Sequence, residues 1–279
     1  MNAGLYTWLA SAIAPELRVI GVDMQPLCMM VAECGLRLAN RRRQEGALPA
    51  NVTLLQRYVS SSGDDPTVSV PGDQCEVMAS PSETGGTRAD LKQNLEARKS
   101  KMLPIRPLAL GQHLLKHFGG NSQRAAVVKI DTEGFETRVL ESLRPAWHLL
   151  GDIVFELQVD AWAHHGVSQD DGLRTLQDLI RANRYRIVTL PHTALGVGRG
   201  EAWWRVGPEF VDPCRLPHVD IELSLPPNRE WYKGLRNATV MHGHQLEALI
   251  RGRRVNGFHE FLLTRRWEGC TNEERDEAG

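Results

Sequence analysis

The stretch Val127-Val128-Lys129-Ile130-Asp131-Thr132-Glu133-Gly134-Phe135-Glu136-Thr137-Arg138-Val139-Leu140-Glu141-Ser142-Leu143 decides the fold. It enters from residues 125–130, which are apolar except for Lys129, the pattern of a strand buried in a parallel sheet. It leaves through a helical pattern from about residue 133 to 143. Three carboxylates, Asp131, Glu133 and Glu136, stand where strand passes into helix. One such βα unit implies a neighbouring parallel strand, so the search moves outward in both directions.

Downstream, 153–157 reads as a strand, 170–181 as a helix and 185–190 as a strand. Upstream, 5–14 is an alanine-rich helical run closed by Pro15. Residues 18–22 (RVIGV) form a short β-branched strand, and a helix from 27 to about 43 follows, with Arg41, Arg42 and Arg43 suited to its C-terminus. The next strand is 52–59. Residues 90–101 and 108–118 are helical in pattern, the second stopped by Gly119-Gly120-Asn121. Strand and helix alternate throughout, which predicts an α/β fold with a mostly parallel, doubly wound sheet. Two segments break the rhythm: 60–88, rich in Ser, Gly, Asp and Pro, reads as an irregular excursion, and 191–241, dense in Pro, Gly and Trp, as an insertion. A helix at 245–251 and a strand at 258–265 close a single domain spanning 1–279, ending in a polar tail.

Lys and Arg number 33 against 34 Asp and Glu, a formal charge of -1. That balance excludes a global field drawing the chain to nucleic acid or anionic membrane. No apolar stretch approaches the roughly 20 residues of a bilayer span. Cys28, Cys34, Cys75, Cys214 and Cys270 are scattered and odd in number, with no metal spacing, so the expectation is reduced thiols in a cytoplasmic protein without structural zinc. The partner that fits is a small molecule, and the sequence leaves the oligomeric state open.

In a doubly wound sheet, ligands bind beyond the carboxyl ends of the strands. Asp23 follows RVIGV, Asp131 and Glu133 follow AAVVKI, and Glu156 lies late in IVFELQ. An acid after a strand of a nucleotide-binding unit accepts hydrogen bonds from ribose hydroxyls, the role assigned to Asp23 in preference to a turn or cap. Glu136 is read as complementing the helix dipole. His164, adjacent to His165 in the loop after IVFELQ, is placed where a general base could reach an acceptor hydroxyl. His242 and His244 lack partners with metal spacing, and Trp203, Trp204, Trp231 and Tyr232 are read as anchors of the insertion.

VVKIDTEGFETRVLESL resembles the signature of the FkbM-type methyltransferases, in which Lys-Ile-Asp, Glu-Gly and a second Glu precede a leucine-containing helix. Asn2-Ala3-Gly4-Leu5-Tyr6-Thr7 is similar to the second half of that family's glycine-rich loop. VIGVDMQP at 19–26 is similar to its next strand and acidic turn, 51–60 to the following strand and its serine turn, and IVFELQ to the strand with a late Glu. The resemblance covers most of 2–190. It implies a Rossmann-like methyltransferase fold, S-adenosylmethionine as cofactor, and methylation of an oxygen on a small molecule or glycan. Asn2, Gly4, Asp23, Ser60 and Asp131 would bind the cofactor, and Asp131, Glu133 and His164 would serve the chemistry. No metal is implied. Leu110 is followed by Gly111 where the family usually has Asp, and Asp23 stands where Glu is commoner. The family's first strand and leading glycine have no counterpart before Asn2, which leaves unpaired backbone expected on the strands at 18–22 and 125–130. An inactive remnant or binding module, and a dinucleotide-dependent oxidoreductase without a complete GxGxxG, are the rival readings.

Overall fold

The computed structural model describes residues 7, 10–11, 17–40, 49, 51–72, 101–118, 125–189, 239–241, 243–251 and 259–265. They fall in two compact units, Met1–Leu110 and Gly111–Gly279, where the sequence had suggested one domain. The predicted helix at 90–101, the glycine stop at 119–121 and nearly all of the insertion at 191–241 lie outside the described residues.

In the first unit, β1 (Val19–Asp23) and β2 (Val52–Gln56) pair in parallel, Val19 opposite Val52 and Asp23 opposite Gln56. Helix α1 (Pro26–Asn40) connects them, as a parallel pair requires. Its buried residues Cys28, Met29, Ala32 and Leu36 recur at helical spacing on one face. The single strand expected at 52–59 is two. At Arg57 the chain changes partners: its N–H donates to the Asp23 carbonyl at 3.0 Å, ending the pairing with β1. Strand β3 (Tyr58–Ser60) then pairs in parallel with β6 (Pro107–Ala109).

Part of the expected irregular excursion is ordered. Strand β4 (Val68–Pro71) pairs antiparallel with β5 (Met102–Ile105), and Gly72 N–H extends the ribbon to the Lys101 carbonyl. Prolines at 71 and 104 hid both strands from a propensity reading, but proline is tolerated in a two-stranded ribbon, where each strand has a free edge.

The second unit holds α2 (Leu110–Phe118) and a five-stranded sheet ordered β10-β9-β11-β8-β7. Strands β7 (Ala125–Ile130) and β8 (Leu150–Leu157) are parallel, in register from Ala125 opposite Leu150 to Ile130 opposite Phe155. The other three pairings, among β8, β9 (Arg186–Thr189), β10 (Thr239–Met241) and β11 (His259–Thr264), are antiparallel. The architecture is therefore mixed α/β, and this sheet departs from the mostly parallel one expected. Alternation of strands and helices sets a parallel crossover only where the helix returns the chain to the same end. After β9 the chain re-enters the sheet twice from the opposite direction, and β11 inserts between β8 and β9. Strand β10 also shows that the last residues of the 191–241 insertion belong to the sheet.

Among the described residues, β7 has β8 as its one strand neighbour. It was expected buried, yet as the end strand it leaves Val127 58% exposed. Strand β8, flanked by β11 and β7, has Leu150, Ile153, Phe155 and Leu157 fully buried. The Phe155 and Phe261 rings stack 5.6 Å apart across the β8–β11 pairing. Helices α3 (Glu136–Leu143) and α4 (Gln169–Asn183) add Leu140, Leu143, Leu176 and Leu179 to the same core. Helix α5 (Gly243–Arg251) adds Leu246 and Ile250. The start of α4 is capped by Ser168, whose Oγ accepts from Asp171 N–H.

No described helix is long and apolar enough to cross a membrane. Cys34 is a free, exposed thiol. Cys28 is disulfide-bonded, against the expectation of reduced thiols drawn from scattered cysteines.

Candidate functional site

The chemistry-bearing groups of the second unit gather where β7 and β8 end side by side. Because the two strands are parallel, Asp131, the residue after β7, emerges next to Glu156 of β8. The helix expected from about 133 starts at Glu136 instead. Glu133 and Gly134 both take positive φ, 53° and 94°, so the chain makes a left-handed turn before helical hydrogen bonding can begin. The turn brings the Glu133 carboxylate back to the first two acids. Oxygens of Asp131, Glu133 and Glu156 lie within 4.8 Å of one another, all three side chains half-buried.

Three carboxylates at that separation resist full ionisation, and either a cation or a proton relieves the repulsion. Lys129 supplies one positive charge, its Nζ 4.0 Å from Asp131 Oδ2. A proton supplies another. Burial, the hydrogen bond to Asp131 and the charges of Asp131 and Glu133 together push Glu156 up to about 9, with Lys129 opposing. Glu156 is thus a neutral acid near pH 7 and donates to Asp131. The spacing would also let one cation touch all three oxygens, so the donor set is compatible with a metal that the sequence did not suggest.

The turn's own anchor is Glu136. Its side chain is completely buried, and Oε1 accepts from Gly134 N–H at 2.7 Å and from Thr132 Oγ1 at 3.2 Å. Oε2 has no hydrogen-bond partner of good geometry among the described residues. Burial raises this carboxyl to about 7, against the lowering influence of the Gly134, Glu136 and Gln158 amides and the Thr132 hydroxyl. Glu136 does stand in the first turn of its helix, where the dipole favours an acid, as read from sequence, and its burial and its bonds to the turn come in addition. Acids in a first helical turn are common, and nothing in the sequence marks this one as buried.

The residues after β8 form not a loop but a 3-10 helix, Val159–His165, which packs on the turn. A Cβ at position 134 would overlap that of Ala161, so glycine is required both for the left-handed backbone and for this close approach. Of the adjacent histidines, His164 is exposed, while His165 turns inward. His165 Nε2 is 3.4 Å from the Glu133 carbonyl, and its ring meets Phe135 edge-on at 5.2 Å. Burial, then the positive charges of His164 and Arg138, hold His165 below the usual histidine range. The neighbour of the residue chosen from sequence is the one in contact with the acidic turn. The two are equivalent as letters, and only the phase of the 3-10 helix separates them.

In the first unit, Asp23 ends β1 as expected, and its Oδ1 accepts from Gln25 N–H at 2.8 Å, the local turn contact weighed against a ribose role. Ser60 ends β3, is buried, and donates its hydroxyl to Asp65 Oδ2. Asn2 and Gly4 lie outside the described residues, as do His242 and the tryptophans of the insertion. His244 is exposed on α5. A scan against protein-family models finds no match, and searches of curated proteins and of solved structures return no relative.

Proposed function

We propose that this chain is an S-adenosylmethionine-dependent methyltransferase of the FkbM type, acting on a hydroxyl of a small molecule or glycan. The observation that carries the reading is the acidic turn: KIDTEGFE, the segment on which the resemblance is most specific, builds a cluster of Asp131, Glu133 and Glu156 at the carboxyl ends of adjacent parallel strands. Ligands of open α/β sheets bind at such ends. The reading extends to a Rossmann-like arrangement, supported within each unit by a parallel strand pair, β1–β2 with Asp23 at its end and β7–β8 with Asp131 just beyond it.

The donor set suits the cofactor. Asp23, held in one orientation by the Gln25 amide, offers a carboxylate to ribose hydroxyls, and each carboxylate oxygen accepts more than one hydrogen bond. Asn2, Gly4 and Ser60 belong to the same proposed binding set. S-adenosylmethionine, when bound, supplies the electrophilic methyl group. Asp131 would accept a hydrogen bond from the acceptor hydroxyl and take up its proton. Glu156 holds the neighbouring proton and keeps a third negative charge off the cluster. Glu133 lines the acceptor side, with the imidazole of His165 behind its carbonyl and His164 at the rim. Alignment of the hydroxyl with the methyl group provides much of the acceleration.

Calorimetric titration of the protein with S-adenosylmethionine and with NAD tests the assignment. Binding of the first alone supports it, binding of NAD alone turns the reading to an oxidoreductase, and binding of neither to a scaffold without cofactor. Asp131→Asn should lower turnover at least a hundredfold, the usual scale of acid–base assistance, while moving the thermal midpoint little. A collapsed midpoint with activity per folded molecule retained would make Asp131 structural.

A further inference from the structure

We infer that Glu136 is the positioning residue of the acidic site: its buried carboxyl oxygen, accepting from the Gly134 amide and the Thr132 hydroxyl, holds the left-handed turn that sets Glu133 beside Asp131 and Glu156. The inference rests on reading that cluster as the reactive site.

A carboxyl group taken wholly out of water is unfavourable unless it is needed where it sits, and a glutamate at the first position of a helix can simply point outward to solvent. Glu136 instead folds back over its own turn, at 0% exposure, with one oxygen spanning two donors. Those donors flank Glu133 on either side in sequence. Glu133 carries a Cβ and sits at φ 53°, a conformation that side chains other than glycine, asparagine and aspartate seldom adopt without support. Phe135 N–H donates back to the Thr132 carbonyl at 3.2 Å, so one short loop is closed twice, once by backbone and once by the Glu136 side chain.

The outside of the turn is clamped as well. Ala161 occupies the space beside Gly134, and His165 Nε2 approaches the Glu133 carbonyl. The rotation of the peptide between Glu133 and Gly134 is held from its carbonyl by the long 3.4 Å His165 contact and from its amide by the 2.7 Å bond to Glu136. The Gly134 amide is the group whose direction follows that rotation, and Glu136 binds it. With the acceptor removed, this peptide loses the shorter of its two holds, Glu133 relaxes out of its left-handed conformation, and its carboxylate leaves the other two acids.

Two substitutions separate acceptor from charge. Glu136→Gln keeps a carbonyl oxygen for both donors, whereas Glu136→Leu keeps volume and removes the acceptor. Selective carboxyl 13C labelling follows the titration of Glu156 by NMR, and hydrogen exchange follows the Gly134 amide. In the parent and the Gln variant, Glu156 titrates at about 9. In the Leu variant its midpoint falls as the Glu133 charge departs, and Gly134 exchange accelerates at least tenfold. An unchanged Glu156 midpoint in a folded Leu variant overturns the inference, and so does a Gln variant that behaves like Leu. Should the Leu protein not fold, Thr132→Val removes one of the two bonds and should give a smaller fall in the same midpoint, with no change again counting against positioning. All these readouts are independent of methyl transfer. Failure to bind S-adenosylmethionine overturns the proposed function and leaves this result standing, and the reverse also holds.

Discussion

Replacing Glu136 with Gln should make the protein's stability less dependent on pH, in a direction set by the burial of this carboxyl. Glu136 is raised from 4.5 in the unfolded chain to about 7 in the folded one, with burial the first cause. The folded state therefore holds a proton that the unfolded state has released, between these two values. Stability falls as pH rises through that window, because the unfolded state binds fewer protons there, and it levels off above it. At 1.36 kcal/mol per unit, the loss specific to Glu136 between pH 5 and pH 8 is about 2–3 kcal/mol. Gln at 136 keeps the acceptor for Gly134 and Thr132 and has no proton to lose. Glu156, also raised, titrates in both proteins and cancels in the difference. Urea unfolding of parent and variant at pH 5, 6, 7 and 8 measures the effect. The variant's advantage should grow with pH by about 2 to 3 kcal/mol and reach its plateau near pH 8. A difference that is flat across the series would refute the argument, since it would mean that the Glu136 carboxyl has the same proton affinity folded and unfolded.

Gly134→Ala should destabilise by about 2–4 kcal/mol, combining a left-handed alanine with overlap on Ala161, as read from the shift in urea midpoint. Gly172→Ala sets two effects against each other: alanine in the first turn of α4 gains up to about 1 kcal/mol of propensity, but its Cβ would overlap the six-membered ring of Trp162, which is 1% exposed. A net loss of about 1–2 kcal/mol is expected, and a more stable variant would show that the ring moves aside freely. Asp23→Ala should weaken S-adenosylmethionine binding by roughly 1.5–3 kcal/mol, the range for hydrogen bonds to a charged group, with calorimetry as the measure; unchanged affinity in a folded variant would leave Asp23 with its turn role alone.

Much of the second unit was legible because its elements carry their own signals. The apolar run at 125–130 and the periodicity of 170–181 are local patterns, and each element appears within a few residues of its expected place. The acids at strand ends were legible for the same reason, since Asp131 and Glu156 each follow or end an apolar run. Strands β5 and β6 were not, because three or four residues containing proline have no period to read, and what makes them strands is hydrogen bonding to partners far along the chain. The direction of β11 was equally hidden. A strand's sequence states that it pairs, while its direction depends on where the preceding chain returns.

The site divides along the same line. Its chemical types, carboxylates at a strand-to-helix junction and a histidine pair after the next strand, could be taken from the letters 131, 133, 156, 164 and 165. Which of them meet could not. That Glu156 is protonated, that His165 rather than His164 touches the turn, and that Glu136 is buried beneath it are consequences of parallel register, a left-handed Glu133 and a 3-10 helix packed against Gly134. Local sequence sets each residue's chemistry and the likelihood of each backbone turn. Proton affinity and side-chain company are set by desolvation and by charges brought from other strands, and those exist only once the chain has packed.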